Sequence, residues 1–284
     1  MMNEQARRLP SGAAQDFGRD GFLLVRGFYD LATEVRPIQE AIQKIVGLVG
    51  KKYGVDAPCA SPEEAMSQGY MTLARADRKY GSEIYDAVKQ IPEFVALVAN
   101  VRNSATFANL RPGAIPGIAA GGYGIRIDSP GEEKFRAPWH QEFPAQLRSL
   151  DGIVFWTPLV SIVPELGPVE LSKGSHKEGP IPVFEDDGGH GKSGAYSLRL
   201  DREQERLGKY EKLAPLTEPG DLLLMDFLTM HQSGENKGTR PRWSMQFRYF
   251  NFADPTGLQI SWRGSFASGV RYQDVMTELV ANRG

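Results

Sequence analysis

The sequence predicts an α+β fold in which a helical N-terminal third packs on a jelly-roll barrel of antiparallel strands. Three observations predict it. Apolar residues recur at three- and four-residue steps up to about Leu110. The pattern then breaks at Arg111-Pro112-Gly113, and short apolar runs separated by Gly/Pro turns follow. Finally, 31 Gly and 19 Pro in 284 residues suit a chain with many strand-to-strand turns better than a helical bundle.

Residues 1–15 read as a loose polar start. In the following segment, D-F-G-R-D-G-F-L-L-V-R-G-F-Y-D, the run from Phe22 to Val25 is strand-like and bounded by Gly21 and Gly27. A helix is expected from about Leu31 to Tyr53, because Ile38, Ala41, Ile42, Ile45, Val46 and Val49 form one apolar face. Ser61-Pro62-Glu63-Glu64 is a helix start, with Ser as N-cap, Pro at the first helical position and Glu at the third. Helix continues to about Leu110, with a further start near Pro92.

Strands are expected over Tyr123 to Ile127, Gly152 to Leu159, Gly167 to Leu171, Asp221 to Phe227 and Trp243 to Phe252. Met245-Gln246-Phe247-Arg248-Tyr249 shows the period-two alternation of a strand. The polar, Gly-rich stretch 178–207 reads as a surface loop or lid. The chain is thus expected to be one domain over 1–284, helix-rich over about 16–110, with a jelly-roll core over about 111–265.

Composition narrows the function classes. A net charge of −2 gives no footprint for nucleic acid or an anionic membrane. The single Cys59 excludes an intramolecular disulfide framework and a Cys-based zinc site. No secretory pattern and no apolar run of roughly 20 residues is present, so a soluble cytoplasmic protein with a small-molecule substrate is expected.

Two segments carry chemistry. One is Trp139-His140-Gln141-Glu142; the other, His231 to Arg242, reads H-Q-S-G-E-N-K-G-T-R-P-R. On a strand, His140 and Glu142 project to the same face while Gln141 points away. His231 lies 91 residues on (231 − 140) and completes a set of two imidazoles and one carboxylate. Non-haem Fe(II) oxygenases use that set to hold one face of the metal and leave the opposite positions open. An H-x-E triplet alone arises by chance, but the chain has only four His, and two fall here. The turn and apolar run from Pro219 to Phe227 offer a rigid mount ahead of His231. Arg242 follows His231 by 11 residues (242 − 231) and supplies a fixed cation for a carboxylate-bearing cosubstrate.

With these segments goes a wider likeness. The chain resembles the phytanoyl-CoA dioxygenase family of Fe(II)- and 2-oxoglutarate-dependent oxygenases. It does so in D-F-G-R-D-G-F-L-L-V-R-G-F, W-H-Q-E, F-W-T-P-L at 155–159, G-P-V-E-L-S-K-G-S-H-K at 167–177, P-G-D-L-L-L-M-D at 219–226, and the segment ending at Arg242. The resemblance implies a double-stranded β-helix, the cupin-like form of the jelly roll. It implies His140, Glu142 and His231 as iron ligands, and Arg242 with Ser233 at the far carboxylate of 2-oxoglutarate. Dioxygen is the second cosubstrate. Such enzymes release succinate and carbon dioxide and most commonly hydroxylate an unactivated C–H bond. One departure stands out: Glu142 occupies the place of the family's usual Asp. It also fills the site that related halogenases leave vacant for chloride.

Other residues carry weaker signals. Arg126 is either a pocket cation for cosubstrate or substrate, or a structural ion pair. Arg248 alternates with Phe247 and Tyr249 and has the same two readings; Arg240 belongs to the turn. Trp156 lines the cosubstrate pocket or packs in the core, and Trp139 is core. His176 holds a loop, and His190 is solvated. Three rivals remain: desaturation, cyclisation or epimerisation by the same iron chemistry; a cupin-like metalloenzyme without 2-oxoglutarate; and a silent binding protein on this fold.

Overall fold

Glycines at both ends delimit the first helix, α1 (Ala13–Asp20): Gly12 and Gly21 have φ of 81° and 78°. A computed structural model describes residues 9–186, 188–264 and 266–281, so the expected polar start lies outside the described residues over 1–8. α1 was not anticipated, because its buried face is only Ala13 and Phe17. β1 (Phe22–Val25) follows where the apolar run stands. A wide helical turn, Leu31–Val35, opens on Asp30, whose side chain accepts from the Thr33 N–H. It leads into α2 (Arg36–Tyr53), which buries the predicted face through Ile38, Ile42, Val46 and Val49.

Ser61 caps α3 (Pro62–Glu64) by accepting from the Glu64 N–H at 3.2 Å. α4 (Tyr70–Ala76), α5 (Arg78–Val88), α6 (Pro92–Val98) and α7 (Val101–Leu110) complete the helical layer. Asp77 and Asn100 cap α5 and α7 through their side-chain oxygens.

The strands after Arg111 are β2 (Pro116–Ile118), β3 (Gly124–Asp128), β4 (Gly152–Pro158), β5 (Val169–Ser172), β6 (Val183–Glu185), β7 (Leu198–Leu200), β8 (Lys212–Leu213), β9 (Leu222–Asp226), β10 (His231–Ser233) and β11 (Arg242–Asn251). One large sheet has the order β1-β9-β4-β11-β2, with β3 also on β11; a small one has the order β10-β5-β8. All named ladders are antiparallel.

Alternation sorts the large sheet into two cores. Ile153 and Phe155 of β4, Leu222 and Leu224 of β9, and Trp243, Met245, Phe247 and Tyr249 of β11 pack with the helices. Val154, Trp156, Leu223 and Met225 pack instead with Val169 and Leu171 of the small sheet. Both faces of β4 and β9 are therefore buried, which explains their continuous apolar runs. The helices are tied on through polar tips: Trp243 Nε1 donates to Met66 O at 2.7 Å and Tyr249 Oη to Val98 O at 2.8 Å.

Phe155 is fully buried, with ring centroids 5.2 Å from Phe247 and 5.0 Å from Tyr249. Phe155→Ala should cost about 3–5 kcal/mol of stability. A denaturant titration showing less than about 1 kcal/mol would remove this cluster from the account of the core.

Segment 178–207 is not an open loop. It holds the β6/β7 hairpin, the turn Gly194–Ser197 and the short helix 203–207. Hydrophobic residues hidden among its glycines explain the difference: Val183, Leu198, Leu200 and Leu207 are buried in the second core. No helix among the described residues is long and apolar enough to cross a membrane.

Candidate metal and cosubstrate site

His140 and His231 face each other across an isolated antiparallel bridge, each backbone N–H donating to the other's carbonyl at 3.0 Å. The bridge places the His140 segment beside β10, as an extension of the small sheet. Gly234 keeps β10 close to the chain entering β5: a Cβ there would stand 2.4 Å from Pro168 O. The two imidazole centroids are 4.2 Å apart.

Glu142 arrives differently from the strand geometry expected of H-x-E. It opens a short helix, α8 (Glu142–Gln146), and its N–H donates to Phe227 O at 2.8 Å. The convergence with His140 is as expected, but a helix start produces it. Gln141 does point away. Its amide donates to Gly179 O and Leu228 O, each at 2.8 Å, and accepts from the Ile181 N–H at 2.8 Å. A fully satisfied buried amide fixes the chain between the two candidate ligands and tethers the base of the 178–207 segment.

The three ligand atoms lie within 4.8 Å of one another. Glu142 Oε2 is 3.7 Å from His140 Nε2 and 3.5 Å from His231 Nε2. Each Nδ1 faces a backbone carbonyl, Pro138 O at 2.7 Å and Thr229 O at 2.8 Å. A carbonyl only accepts, so each Nδ1 carries the proton and each Nε2 presents a lone pair inward. Burial, with His140 alongside, pushes the His231 imidazole down and favours its neutral form. Burial alone would push the Glu142 carboxyl up. Arg248 beside it overrides this and holds it well below the usual range. Two imidazole nitrogens and a carboxylate oxygen converge within 4.8 Å of one another. Such a donor set fits a divalent first-row metal.

These groups line a cavity of about 300 Å³, which the even-numbered face of β11 enters with Arg242, Gln246 and Arg248. Arg242 is 2% exposed. Its Nε and Nη2 face Asp128 Oδ2 at 3.3 and 3.0 Å, and its buried Nη1 has no partner among the described residues. Asp128 stands opposite Arg242 in the β3–β11 register. It also receives Arg126 Nη2 at 2.5 Å. Burial would raise the Asp128 carboxyl, but Arg126 and Arg242 hold it well below the usual range. Two guanidiniums thus share one carboxylate and leave a net positive end to the cavity.

Ser233 and Trp156 line the same cavity, as does Arg126, whose Nη1 donates to Tyr196 Oη at 2.8 Å. Tyr196 brings the 178–207 segment to the cavity, while Tyr85 of α5 and Lys89 just past its end line it as well. Arg240 donates instead to Ser161 O at 3.2 Å, on the turn. Trp139 is core, His190 is exposed, and His176 Nε2 reaches Gly18 O at 3.1 Å, tying its loop to α1.

Sequence reasoning missed Asp128, Gln141 as a tether, and the pairing of Arg248 with Glu142. Only Arg248 carried a local signal: polar residues at 242, 244, 246 and 248 alternate with apolar ones between them.

The family model for phytanoyl-CoA dioxygenase matches residues 17–244, spanning both candidate ligand segments. The chain belongs to the phytanoyl-CoA dioxygenase family. No curated protein matches it by sequence. Among solved structures it is similar to the non-heme alpha ketoglutarate dependent carbocyclase SnoK from nogalamycin biosynthesis, at 17% identity and TM-score 0.55, covering 87% of this chain and 85% of that one. The non-heme alpha ketoglutarate dependent epimerase SnoN from the same biosynthesis matches at 17% and 0.53, covering 86% and 85%. EctD from S. alaskensis, solved with 2-oxoglutarate and 5-hydroxyectoine, matches at 19% and 0.51, covering 89% and 80%. At such identities these likenesses speak for the fold: mixed helix and sheet, with antiparallel strands.

Proposed function

We propose that this phytanoyl-CoA dioxygenase family member is an Fe(II)- and 2-oxoglutarate-dependent oxygenase, hydroxylating an unactivated C–H bond of a small molecule. One observation carries the reading: two imidazole Nε2 lone pairs and one carboxylate oxygen converge in a cavity that also holds Arg242 with an unpartnered buried nitrogen. The two sheets, with the His140 segment beside β10, are read as the halves of a double-stranded β-helix. The 1–284 chain is read as one catalytic unit.

In this reading His140, Glu142 and His231 hold Fe(II), which when loaded with 2-oxoglutarate and dioxygen supplies the oxidising power. Arg242 meets the distal carboxylate of 2-oxoglutarate, with Ser233 beside it and Arg126 sharing the positive field through Asp128. Trp156 and Val154 form an apolar wall that excludes water from the cosubstrate. Tyr196 and the end of α5 frame the substrate's entrance.

The carboxylate at position 142 disfavours halogenation, since it fills a position that chloride would need. The net positive cavity end favours a dicarboxylate cosubstrate over a cupin-like enzyme without one. The intact donor set argues against a silent binding protein. Desaturation, cyclisation and epimerisation share the same residues, and no feature of this chain favours one of them.

The test is succinate release from 2-oxoglutarate by Fe(II)-loaded protein against a panel of free acids, amino acids, acyl thioesters and sugar-linked metabolites. Succinate formation that needs Fe(II) and rises with one panel member is expected. No succinate with any member, from protein shown to bind both Fe(II) and 2-oxoglutarate, would contradict the oxygenase reading.

A further inference from the structure

We propose that Arg248 is a positioning residue for Glu142. Its guanidinium takes one carboxylate oxygen, so that the other alone is presented to the metal. The proposal rests on the metal reading above.

A glutamate carboxylate has nothing of its own to decide which oxygen faces the site, because its terminal torsion is broad and roughly two-fold. Glutamate also reaches one methylene further than aspartate. At Glu142 both freedoms are removed. Oε2 faces the two imidazole Nε2 atoms at 3.7 and 3.5 Å, while Oε1 accepts from Arg248 Nε at 2.9 Å. The Glu142 side chain is 3% exposed and that of Arg248 9%, so solvent screens the pair little.

Arg248 is itself held. It stands in β11 opposite Val154 of β4, and its Nη1 donates to Gly122 O at 3.0 Å. It is therefore an anchored guanidinium that pins one oxygen, so that Glu142 would give a metal one ligand atom only. With Arg248 removed, the carboxylate is free to turn both oxygens to the metal or to swing away from it. A side chain shorter by one methylene cannot serve Arg248 and the metal at once.

The experiment measures Co(II) affinity of the full-length apo protein, without cosubstrate, by the visible bands of bound Co(II). It uses wild type, Arg248→Ala, Arg248→Lys, Glu142→Asp and the double variant Glu142→Asp/Arg248→Ala, each checked for cooperative unfolding. Arg248→Ala should weaken Co(II) binding about 10- to 100-fold, the usual loss for a partner that orients a metal ligand. Arg248→Lys should recover part of it. In the Glu142→Asp background the same Ala substitution should cost at most about threefold, well short of the additive result expected for independent sites. Equal losses in the two backgrounds, or Co(II) binding unchanged or tighter in Arg248→Ala, would overturn the proposal and leave the metal site standing. Wild-type protein that binds no Co(II) would overturn the metal reading and this proposal together.

Discussion

Glu142→Ala is expected to weaken divalent-metal binding by more than about 100-fold, beyond what loss of an orienting partner alone causes. Two effects add. The site loses the Glu142 carboxylate and its negative charge, leaving the two imidazoles. It also keeps Arg248, whose side chain is 9% exposed, now without the oxygen it held at 2.9 Å. A buried, uncompensated guanidinium beside the metal position repels the ion and costs the fold about 3–5 kcal/mol. Glu142→Gln separates the two effects. Its amide oxygen still accepts from Arg248, so stability should fall less, while the lost charge still weakens metal binding. Glu142→Asp should bind iron more weakly or uncouple the reaction, since its shorter reach cannot satisfy Arg248 and metal together. Calorimetric titration with Fe(II) under anaerobic conditions reads all three. Glu142→Ala with wild-type metal affinity and turnover would show that the carboxylate is not a ligand.

Arg242→Ala is expected to raise the apparent 2-oxoglutarate dissociation constant while leaving metal affinity nearly unchanged. An anchoring Arg commonly offers two parallel hydrogen bonds to a carboxylate. Here the edge formed by Nε and Nη2 already faces Asp128, and Nη1 is the nitrogen left over. Loss of a buried charge partner costs about 2–5 kcal/mol. One free nitrogen, with Arg126 still present, places the effect in the lower part of that range. That is about 2–3 kcal/mol, or roughly 30- to 150-fold in affinity. Arg242→Lys should recover part of the loss, because an ammonium lacks the planar fork. Arg240→Ala is the control, since its side chain bonds Ser161 O. The readout is titration of the metal-to-ligand absorption band with 2-oxoglutarate in anaerobic Fe(II) protein. A larger loss in Arg240→Ala than in Arg242→Ala would move the anchor off the β11 face.

The long elements were legible because burial wrote a pattern into them. α2 shows its helical stripe, β11 its strict alternation, and β4 and β9 the unbroken apolar runs of strands covered on both faces. β10 and β8, with three and two residues, are too short to show any period. The 178–207 segment misleads because its glycines and charged residues hide the pattern, while five buried aliphatic residues, Ile181, Val183, Leu198, Leu200 and Leu207, do the packing.

At the site, residue type and spacing singled out His140, Glu142, His231 and Arg242, and the fold brings all four to one cavity. The element carrying Glu142 was misread, because H-x-E fits a strand and a helix start equally well. Pro144 falls at the third helical residue of α8, within the first turn where proline is tolerated. The pairings that tune the site were not legible. Glu142 and Arg248 are 106 residues apart, and Asp128 and Arg242 are 114 apart, so only the tertiary register joins them.

The most direct measurement of the central claim is an anaerobic titration of the wild-type protein with Fe(II) and 2-oxoglutarate, repeated with His231→Ala. The account predicts a metal-to-ligand absorption band that needs both components, saturates at one cosubstrate per chain, and is absent in the variant. 2-Oxoglutarate binding that proceeds equally well without metal, or a band of full intensity in His231→Ala, would contradict it.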